Sequence, residues 1–354
     1  VKGLSESQVG ALSSDAVLSL TPAAIKTISV GSIDNVNAVA FSQMTSAQIA
    51  ALSPAQFAAL THGSTSYVDT VTSNGSTTNT TVTPGDSTNQ LAQIASDQAA
   101  AISSLQIKGL DAADIAALTS DAVAALQPAT LKAIAPEAFD NIADGAFSLF
   151  TSAQIAAFTT AQTAVIDAGQ IVKLGPDQAA ALTTAQFAKI PATIIAQLSS
   201  DAFAALSPTV IKGLNVGSFT ATQLANLTAE QIAGLSAKQL TALTDKLSGL
   251  SGDALATLAP SLFKGLTVNG IAALTSDAVS AITPAQLAVL TTVQLDAFKA
   301  TQTQYFNEAS TAWLLGKGYN IVSETTGTDV GVKTTNTVTA PTNTSTITAG
   351  KNSA

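Results

Sequence analysis

Apolar residues recur every eight positions along most of this chain. The first run has eight members: Leu4, Leu12, Leu20, Ile28, Val36, Met44, Leu52 and Leu60. The series returns at Ile94, slips at Phe219, loses one residue before Leu250 and ends at Leu314. A period of eight matches neither a continuous α-helix nor a strand. The pattern therefore indicates a tandem repeat, and we call each eight-residue unit an octad.

A second apolar residue follows five positions after each of the first seven members of the series: Val9, Val17, Ile25, Ile33, Phe41, Ile49 and Phe57. Between Leu52 and Phe57, the residue types suit the start of a helix: Ser53 suits an N-cap, Pro54 the first helical position and Gln56 the third position of a capping box. Leu52 and Phe57 would form the hydrophobic staple across that cap. Each octad thus predicts a helix of about seven residues, or two turns.

Helices this short are not stable alone, so each must bury its apolar edge against its neighbours. A single continuous helix is the competing interpretation, but octads would rotate its apolar edge by about 80° per repeat and spread it around the helix. We therefore predict a mainly α fold, an α-solenoid of short capped helices with small β-hairpin modules.

A longer duplication overlies the octads. The stretch from Lys2 matches the stretch from Lys108, a shorter copy begins at Lys264, and a partial copy begins at Ser199. An aspartate recurs at the same place in the copies, at Asp15, Asp121, Asp201 and Asp277. These aspartates are better explained as inherited structural positions than as independent sites.

Two segments rich in Thr and Val interrupt the pattern. Tyr67 to Thr72 and Thr77 to Thr83 flank an Asn74-Gly75 turn, which is a strong hairpin signal. The sequence after Leu314 has a similar composition. We divide the chain into a first octad segment (1–60), a β-hairpin insertion (61–90), a main octad segment (91–314) and a hairpin or extended tail (315–354).

An isolated two-stranded hairpin is marginally stable, so the two modules are expected to pair with each other or with another subunit. The candidate assembly contacts are Tyr67, Val71, Val82, Tyr319, Val322, Val332 and Val338. A disordered Ser/Thr/Gly linker is the alternative for both segments. Candidate glycosylation sites occur there at Asn74, Asn79 and Asn343, with a further sequon at Asn226 in the octads.

Composition excludes several classes of function. The chain has 23 acidic residues and 14 basic ones, all Lys, and a net charge of -9, so a basic surface for nucleic acid is not expected. It has no Cys, which removes disulfides and thiolate chemistry. Polar residues interrupt every apolar run, so no membrane span is expected. The N-terminal residues lack the apolar region of a signal peptide and open within a repeat.

No catalytic or metal-binding constellation is apparent. His62 is the only histidine, and we interpret it as a loop residue. The acidic stretch Asp111 to Asp121 lacks the glycine and ligand spacing of an EF-hand. Trp313, with Tyr305 and Phe306, is expected to cover the end of the array. We predict no enzyme activity, cofactor or metal.

The octads "TSAQIAAL", "TTAQFAKI" and "SSDAFAAL" resemble the tandem L-[ST]-x-x-[QD]-φ-A-x-L repeat of long secreted or surface-attached bacterial proteins. The resemblance covers Lys2 to Leu60 and Leu91 to Leu314. It implies an extracellular or cell-surface location and assigns no functional residue.

The sequence therefore favours a structural protein of the bacterial cell surface, the repeating subunit of an extracellular filament joined by its β modules. The partner would be a second copy of the chain. An adhesin that holds a surface glycan or a protein on the solenoid surface is the alternative. An enzyme is a third possibility and would need a site assembled only on folding.

Overall fold

The computed structural model describes residues 3–60, 67–73, 76–82, 90–321 and 338–339. The chain divides into two compact units, Val1–Ala205 and Leu206–Ala354. The described residues are mainly helical and are compatible with a helical repeat solenoid.

Short α-helices follow one another at the octad spacing. In the first unit they are Glu6–Gly10, Ser14–Leu18, Pro22–Ile25, Ala38–Ser42, Ser46–Ala51, Pro54–Ala58, Ser96–Ala99, Ser104–Ile107, Ala112–Ala117, Ser120–Ala125, Pro128–Leu131, Pro136–Phe139, Asp144–Leu149, Ser152–Ala157, Thr160–Thr163, Ala168–Ile171, Pro176–Ala181, Thr184–Phe187, Ala192–Ile195 and Ser200–Ala204. In the second unit they are Pro208–Gly213, Ala221–Ala225, Ala229–Ala233, Ala237–Leu243, Gly252–Ala256, Pro260–Phe263, Val268–Ala272, Ser276–Ser280, Pro284–Leu287, Thr292–Leu295, Ala300–Thr303 and Glu308–Gly316.

Among the described residues, four 3₁₀ helices take the place of α-helices within the series: Ile33–Asn35, Leu91–Gln93, Val216–Ser218 and Thr244–Gly249. Four described strands form two separate antiparallel pairs. Strand β1 (Tyr67–Ser73) pairs with β2 (Ser76–Val82), and β3 (Asn320–Ile321) pairs with β4 (Val338–Thr339).

The predicted caps are present. The Ser53 hydroxyl accepts from the Gln56 backbone N–H at 3.2 Å, and the Gln56 Oε1 accepts from the Ser53 N–H at 2.8 Å. Pro54 is the first helical residue, where its missing N–H leaves no bond unmade. The capping box at the start of this helix is therefore confirmed.

The predicted helix length of about seven residues is wrong for most octads. The helix Pro54–Ala58 has five residues. The helix ends with a 3₁₀-type hydrogen bond, in which the Leu60 N–H donates to the Phe57 carbonyl three residues back. The backbone must become extended before the next N-cap, as it does at Leu52 with ψ 132° ahead of Ser53. Cap, helix and return to extended backbone have to fit within eight residues, which leaves room for little more than one helical turn.

In most octads the two apolar positions form the core. Leu52 and Phe57, which we predicted to staple the cap, are both buried. The largest fully buried side chains are Phe41, Phe57, Phe139, Phe147, Phe187, Phe203, Phe219 and Phe263, and all eight stand at the staple or octad-end position. A few large rings thus fill the space between many small Ala residues.

Helices that are three octads apart in sequence lie side by side. The helix Ser120–Ala125 packs against Ser96–Ala99 on one side and against Asp144–Leu149 on the other. Within each unit the octads therefore wind into a coil, and each turn of the coil covers the one before it.

Buried glutamines join successive turns. The Gln162 Oε1 accepts from the Thr159 N–H at 2.8 Å, which completes the cap of its own helix. Its Nε2 donates at 2.8 Å to each of two carbonyls, those of Leu131 and Ile134. These carbonyls close the octad four places earlier. One amide group thus satisfies the start of one helix and the end of another.

We call the buried glutamines that donate to an earlier octad the glutamine ladder. Among the described residues its members include Gln48, Gln56, Gln90, Gln98, Gln106, Gln154, Gln162, Gln170, Gln178, Gln186, Gln231, Gln239, Gln286, Gln294 and Gln302. In the regular parts of the coil the donated bonds span 28 and 31 residues, as they do from Gln56 to Ile28 and Ile25.

These bonds define the pitch of the coil. Side-by-side packing joins octads three apart, and the ladder joins octads four apart, so one turn contains between three and four octads. Where an octad lacks the glutamine, another donor can take its place. The Thr130 hydroxyl donates to Ile102 across 28 residues, and the Ser310 hydroxyl donates to Ile282 across the same interval.

Gln162→Ala should lower the free energy of unfolding by about 2–4 kcal/mol, because it leaves the buried Ile134 carbonyl and the Thr159 N–H without partners and removes the second donor from the Leu131 carbonyl. Gln8→Ala is the matched control. Gln8 forms the same capping box with Ser5 but is exposed and donates to no earlier octad among the described residues. Its loss should cost about 1 kcal/mol or less. Urea titration followed by circular dichroism measures both, and equal costs would contradict the role of the ladder.

Gln162→Glu should keep the capping box but place a carboxylate against the Leu131 and Ile134 carbonyls. Burial would raise the pKa of this carboxyl, so the native state would bind more protons than the unfolded state. Stability should fall as the pH rises above about 4.3, the ordinary value for Glu. Thermal unfolding should therefore show a larger deficit at pH 7 than at pH 4. Gln8→Glu should show no such trend, and a pH-independent deficit at Gln162 would contradict the prediction.

Candidate functional site

The first strand pair is inserted into the coil without changing its register. The ladder bonds from Gln106 reach Leu52 and Ile49 across 54 and 57 residues, whereas elsewhere the same bonds span 28 and 31. The insertion therefore adds 26 residues. Gln98 bridges the same gap to Met44, also across 54 residues. The octads on either side meet as if the insertion were absent.

The sequence accounts for this continuity. Ser87, Thr88 and Asn89 lie outside the described residues, but with Gln90 they have the residue types that start an octad. Gln90 donates to the carbonyls of Ile33 and Val36 as a regular ladder member would. Removing residues 61–86 would join Leu60 directly to that octad, in phase.

The register of β1 and β2 places two of the candidate assembly residues opposite each other. Tyr67 pairs with Val82, and Val71 pairs with Thr78. Strands β3 and β4 are two residues each, and Val338 pairs there with Ile321. Each pair is a two-stranded sheet by itself. The structure thus brings Tyr67 and Val82 together, while Val322 and Val332 lie outside the described residues.

The C-terminal strand pair follows directly from the last helix. Glu308–Gly316 extends two residues beyond the predicted segment boundary at 314. Gly318 has φ 85°, its N–H donates to Leu315, and the N–H of the half-buried Tyr319 donates to Leu314. This is a Schellman termination, in which glycine takes the left-handed conformation without strain. It directs the chain from Tyr319 into β3.

Of the candidate glycosylation sites, only Asn79 lies within the described residues, in β2 opposite Thr70. Asn74 and Asn343 lie outside them. Asn226 is exposed at the end of the helix Ala221–Ala225, where its Nδ2 donates to the Thr222 carbonyl at 2.8 Å.

At a slip in the octad series, the ladder bonds join groups that are fewer residues apart. Gln239 reaches Leu214 across 25 residues in place of 28, because the step from Leu214 to Phe219 contains five residues in place of eight. The 3₁₀ helix Val216–Ser218 occupies this short step. Lys246 acts here in place of a ladder glutamine, since its Nζ donates to Gly217 and Phe219 at 2.6 and 2.9 Å.

Several acidic side chains lie at the starts of helices, where they stabilise the helix. Asp15, Asp121, Asp201 and Asp277 all lie exposed in the first turn of their helices, where a negative charge favours the helix dipole. Asp111 is an N-cap and forms a reciprocal capping box with Asp114. The acidic stretch from Asp111 to Asp121 is therefore explained by capping.

One acidic group has a shifted pKa. Burial raises the pKa of Asp34 above its ordinary value of 3.8, and the nearby charge of Glu6 adds to the effect. Hydrogen bonds from the N–H groups of Asp34 and Asn35 and from the Asn35 side chain oppose it. Because the native state holds the proton more tightly, this carboxyl contributes less to stability as the pH rises above about 4.

Within the residues that the structure describes, no group of three or more His, Asp or Glu side chains could hold a metal ion. In the same residues no helix is long and apolar enough to cross a membrane. His62 lies outside them. Near the C-terminus, Phe306 is buried and contacts Phe298 at 5.0 Å between ring centres, whereas Tyr305 is exposed and Trp313 is half-buried.

The ladder is the functional element that inspection of the sequence missed. A capping box accepts either Glu or Gln at its third position. In the described helices that position holds Gln repeatedly, Asp once at Asp114, and never Glu. Of Gln and Glu, only Gln can accept at its own cap and also donate to a second group, because an ionised carboxylate has no donor. The preference for Gln over Glu at this position therefore indicated, in the sequence itself, that the side chain also donates a hydrogen bond.

No protein-family model and no curated protein matches this chain.

Deleting residues 61–86 should leave the helical coil folded. We expect a cooperative thermal transition within a few degrees of the parent chain and a higher helical signal per residue, because the octads meet in register across the cut. Loss of the cooperative transition would contradict this.

A double-mutant cycle makes the same test quantitative. Gln106→Ala should cost the same free energy in the parent and in the deleted chain, to within about 0.5 kcal/mol, if the coil is the same in both. A larger coupling would mean that the ladder depends on the insertion. Denaturant unfolding of the four chains supplies the measurement.

Proposed function

We propose that this chain is a structural protein of the bacterial cell surface and the repeating subunit of an extracellular filament. In this proposal the octad coil is the body of the subunit. The two Thr/Val-rich segments, around β1–β2 and β3–β4, are β modules that join one subunit to the next.

The observation that carries the proposal is the in-register insertion of β1 and β2. Gln98 and Gln106 join the octads on either side of the 26 added residues, so the coil does not need the strand pair for its own continuity. A two-stranded sheet has two open edges whose N–H and C=O groups can pair with a further strand. A strand pair that the ladder bonds bypass, and that has open edges, is suited to bind another chain.

The construction of the coil also suits a filament. Each octad is stabilised by neighbours within about one turn, so stability accumulates locally, as in other solenoids. The Lys2 and Lys108 copies show that the chain grew by duplicating blocks of octads. The cell-surface location rests on the similarity of the octads to repeats of secreted and surface-attached bacterial proteins.

Chains that lack residues 61–86, residues 319–354 or both test the proposal. The second deletion begins at Tyr319 so that the helix Glu308–Gly316 and the bond from the Gly318 N–H to Leu315 are kept. All three should retain the helical circular dichroism of the coil, and fibre length in negative-stain micrographs should fall with either deletion and vanish with both. Fibres of parental length from the double deletion would sink the proposal.

The deletions remove whole segments, so their effect on assembly could come from the loss of any contact in them. A point substitution in β1 tests strand pairing alone. Thr70→Pro removes a backbone N–H that points away from β2, because Thr70 and Asn79 form a non-hydrogen-bonded pair, and should shorten fibres. Thr70→Val keeps the N–H and a β-branched side chain and should not. Sedimentation of assembled material measures both. Equal assembly of the two variants would argue against pairing through β1.

A further inference from the structure

A cavity lies beside the short step in the second unit. The cavity has a volume of about 510 Å³. Its walls come from Lys212 to Val216 on one turn of the coil and from Ser236 to Ala242 on the next. Its volume lies within the range of small-molecule sites.

A second cavity in the first unit occupies the equivalent place in the repeat and provides an internal comparison. It lies between Phe150 to Ser152 on one turn and Gly175 to Gln178 on the next, and its volume is about 310 Å³. The two N-cap residues that face each other there, Thr151 and Gly175, are 24 residues apart. Their counterparts, Asn215 and Ser236, are 21 apart because of the three-residue deletion.

The charges on these two cavities are opposite. At the second helical position the smaller cavity has Asp177, whereas the larger one has Lys238. Lys212 adds a second positive charge to the larger cavity, and no carboxylate lines it among the described residues. In a chain whose net charge is -9, this is a local reversal of sign.

The free polar side-chain groups of the larger cavity are all donors. Lys212 and Lys238 are exposed, and neither ammonium group has a hydrogen bond or ion pair among the described residues. Asn215 uses its Oδ1 to accept from the Gly217 N–H at 3.2 Å, which orients the amide and leaves its Nδ2 available. The Ser236 hydroxyl and the Gln239 amide are already bonded to each other and to the backbone.

Two lysines and an asparagine line this cavity, and none of its described lining side chains is a carboxylate, so the cavity fits a ligand that is negatively charged and rich in acceptors. We propose that this cavity binds an oxyanion group, a carboxylate or a phosphate, carried by a small polar ligand. Lys212 and Lys238 would neutralise the charge, and Asn215 would donate to a neighbouring oxygen. The site does not depend on the chain forming filaments.

Titration calorimetry of the full chain with three probes tests the proposal: sodium glucuronate, inorganic phosphate and the neutral sugar glucose. We expect saturable binding of at least one anion and none of glucose. Preference for glucuronate would identify a carboxylate-bearing sugar as the ligand class, and preference for phosphate would identify a phosphate-bearing ligand.

The variant Lys212→Gln/Lys238→Gln should weaken binding of that anion about tenfold or more, the effect of losing charge-assisted hydrogen bonds. The matched control is Lys132→Gln/Lys173→Gln, which changes the net charge equally. Lys132 stands 80 residues before Lys212, at the same octad position, and both control lysines are exposed. The control should bind as the parent does.

Three results would overturn the proposal. They are no saturable binding of either anion to the parent chain, equal binding of glucose, and equal weakening in the two double variants. Since all four lysines are exposed, the variants should fold, and their circular dichroism verifies this. The measurement uses dispersed protein, so a failure to assemble into fibres would leave its result unaffected.

Discussion

The structure depends on what a single glutamine side chain does at the third position of a short helix. Its oxygen accepts from the cap of its own helix, and its nitrogen donates to the carbonyls that end an octad of the previous turn, as at Gln162. Helices of one turn leave most of their backbone groups without internal partners. The buried amide satisfies groups at two such ends at once and ties together segments that are about 30 residues apart. Apolar burial supplies most of the attraction, but the amide determines which turn an octad meets.

This arrangement explains how the coil accommodates irregularities. Each ladder bond specifies a spatial relation between octads, with no fixed number of residues between them. The bonds from Gln98 and Gln106 therefore still form although 26 residues, which carry β1 and β2, are inserted between the octads that they join. The five-residue step after Leu214 is tolerated in the same way, and Lys246 supplies the donor that its octad lacks. Both departures coincide with the features on which our functional proposals rest.

Prediction from sequence succeeded where the physics is local. The Ser53 cap, the Pro54 start and the burial of Leu52 and Phe57 each follow from groups within one octad, and all are present. The predicted helix length was wrong because it neglected the extended residue that every new cap requires. The larger cavity could not have been predicted, since Lys212 and Lys238 come together only through the packing of successive turns.

The order of amino acids is enough to specify where each helix starts, which face it buries and where the repeat is broken, because caps, staples and turn residues act within a few positions. It does not specify which octads meet. Nearly identical octads offer nearly identical partners, so local preference cannot distinguish a neighbour three octads away from one that is two or five away. That choice is made in three dimensions, through the close packing of octads three apart and the reach of the glutamine amide to the carbonyls four octads back.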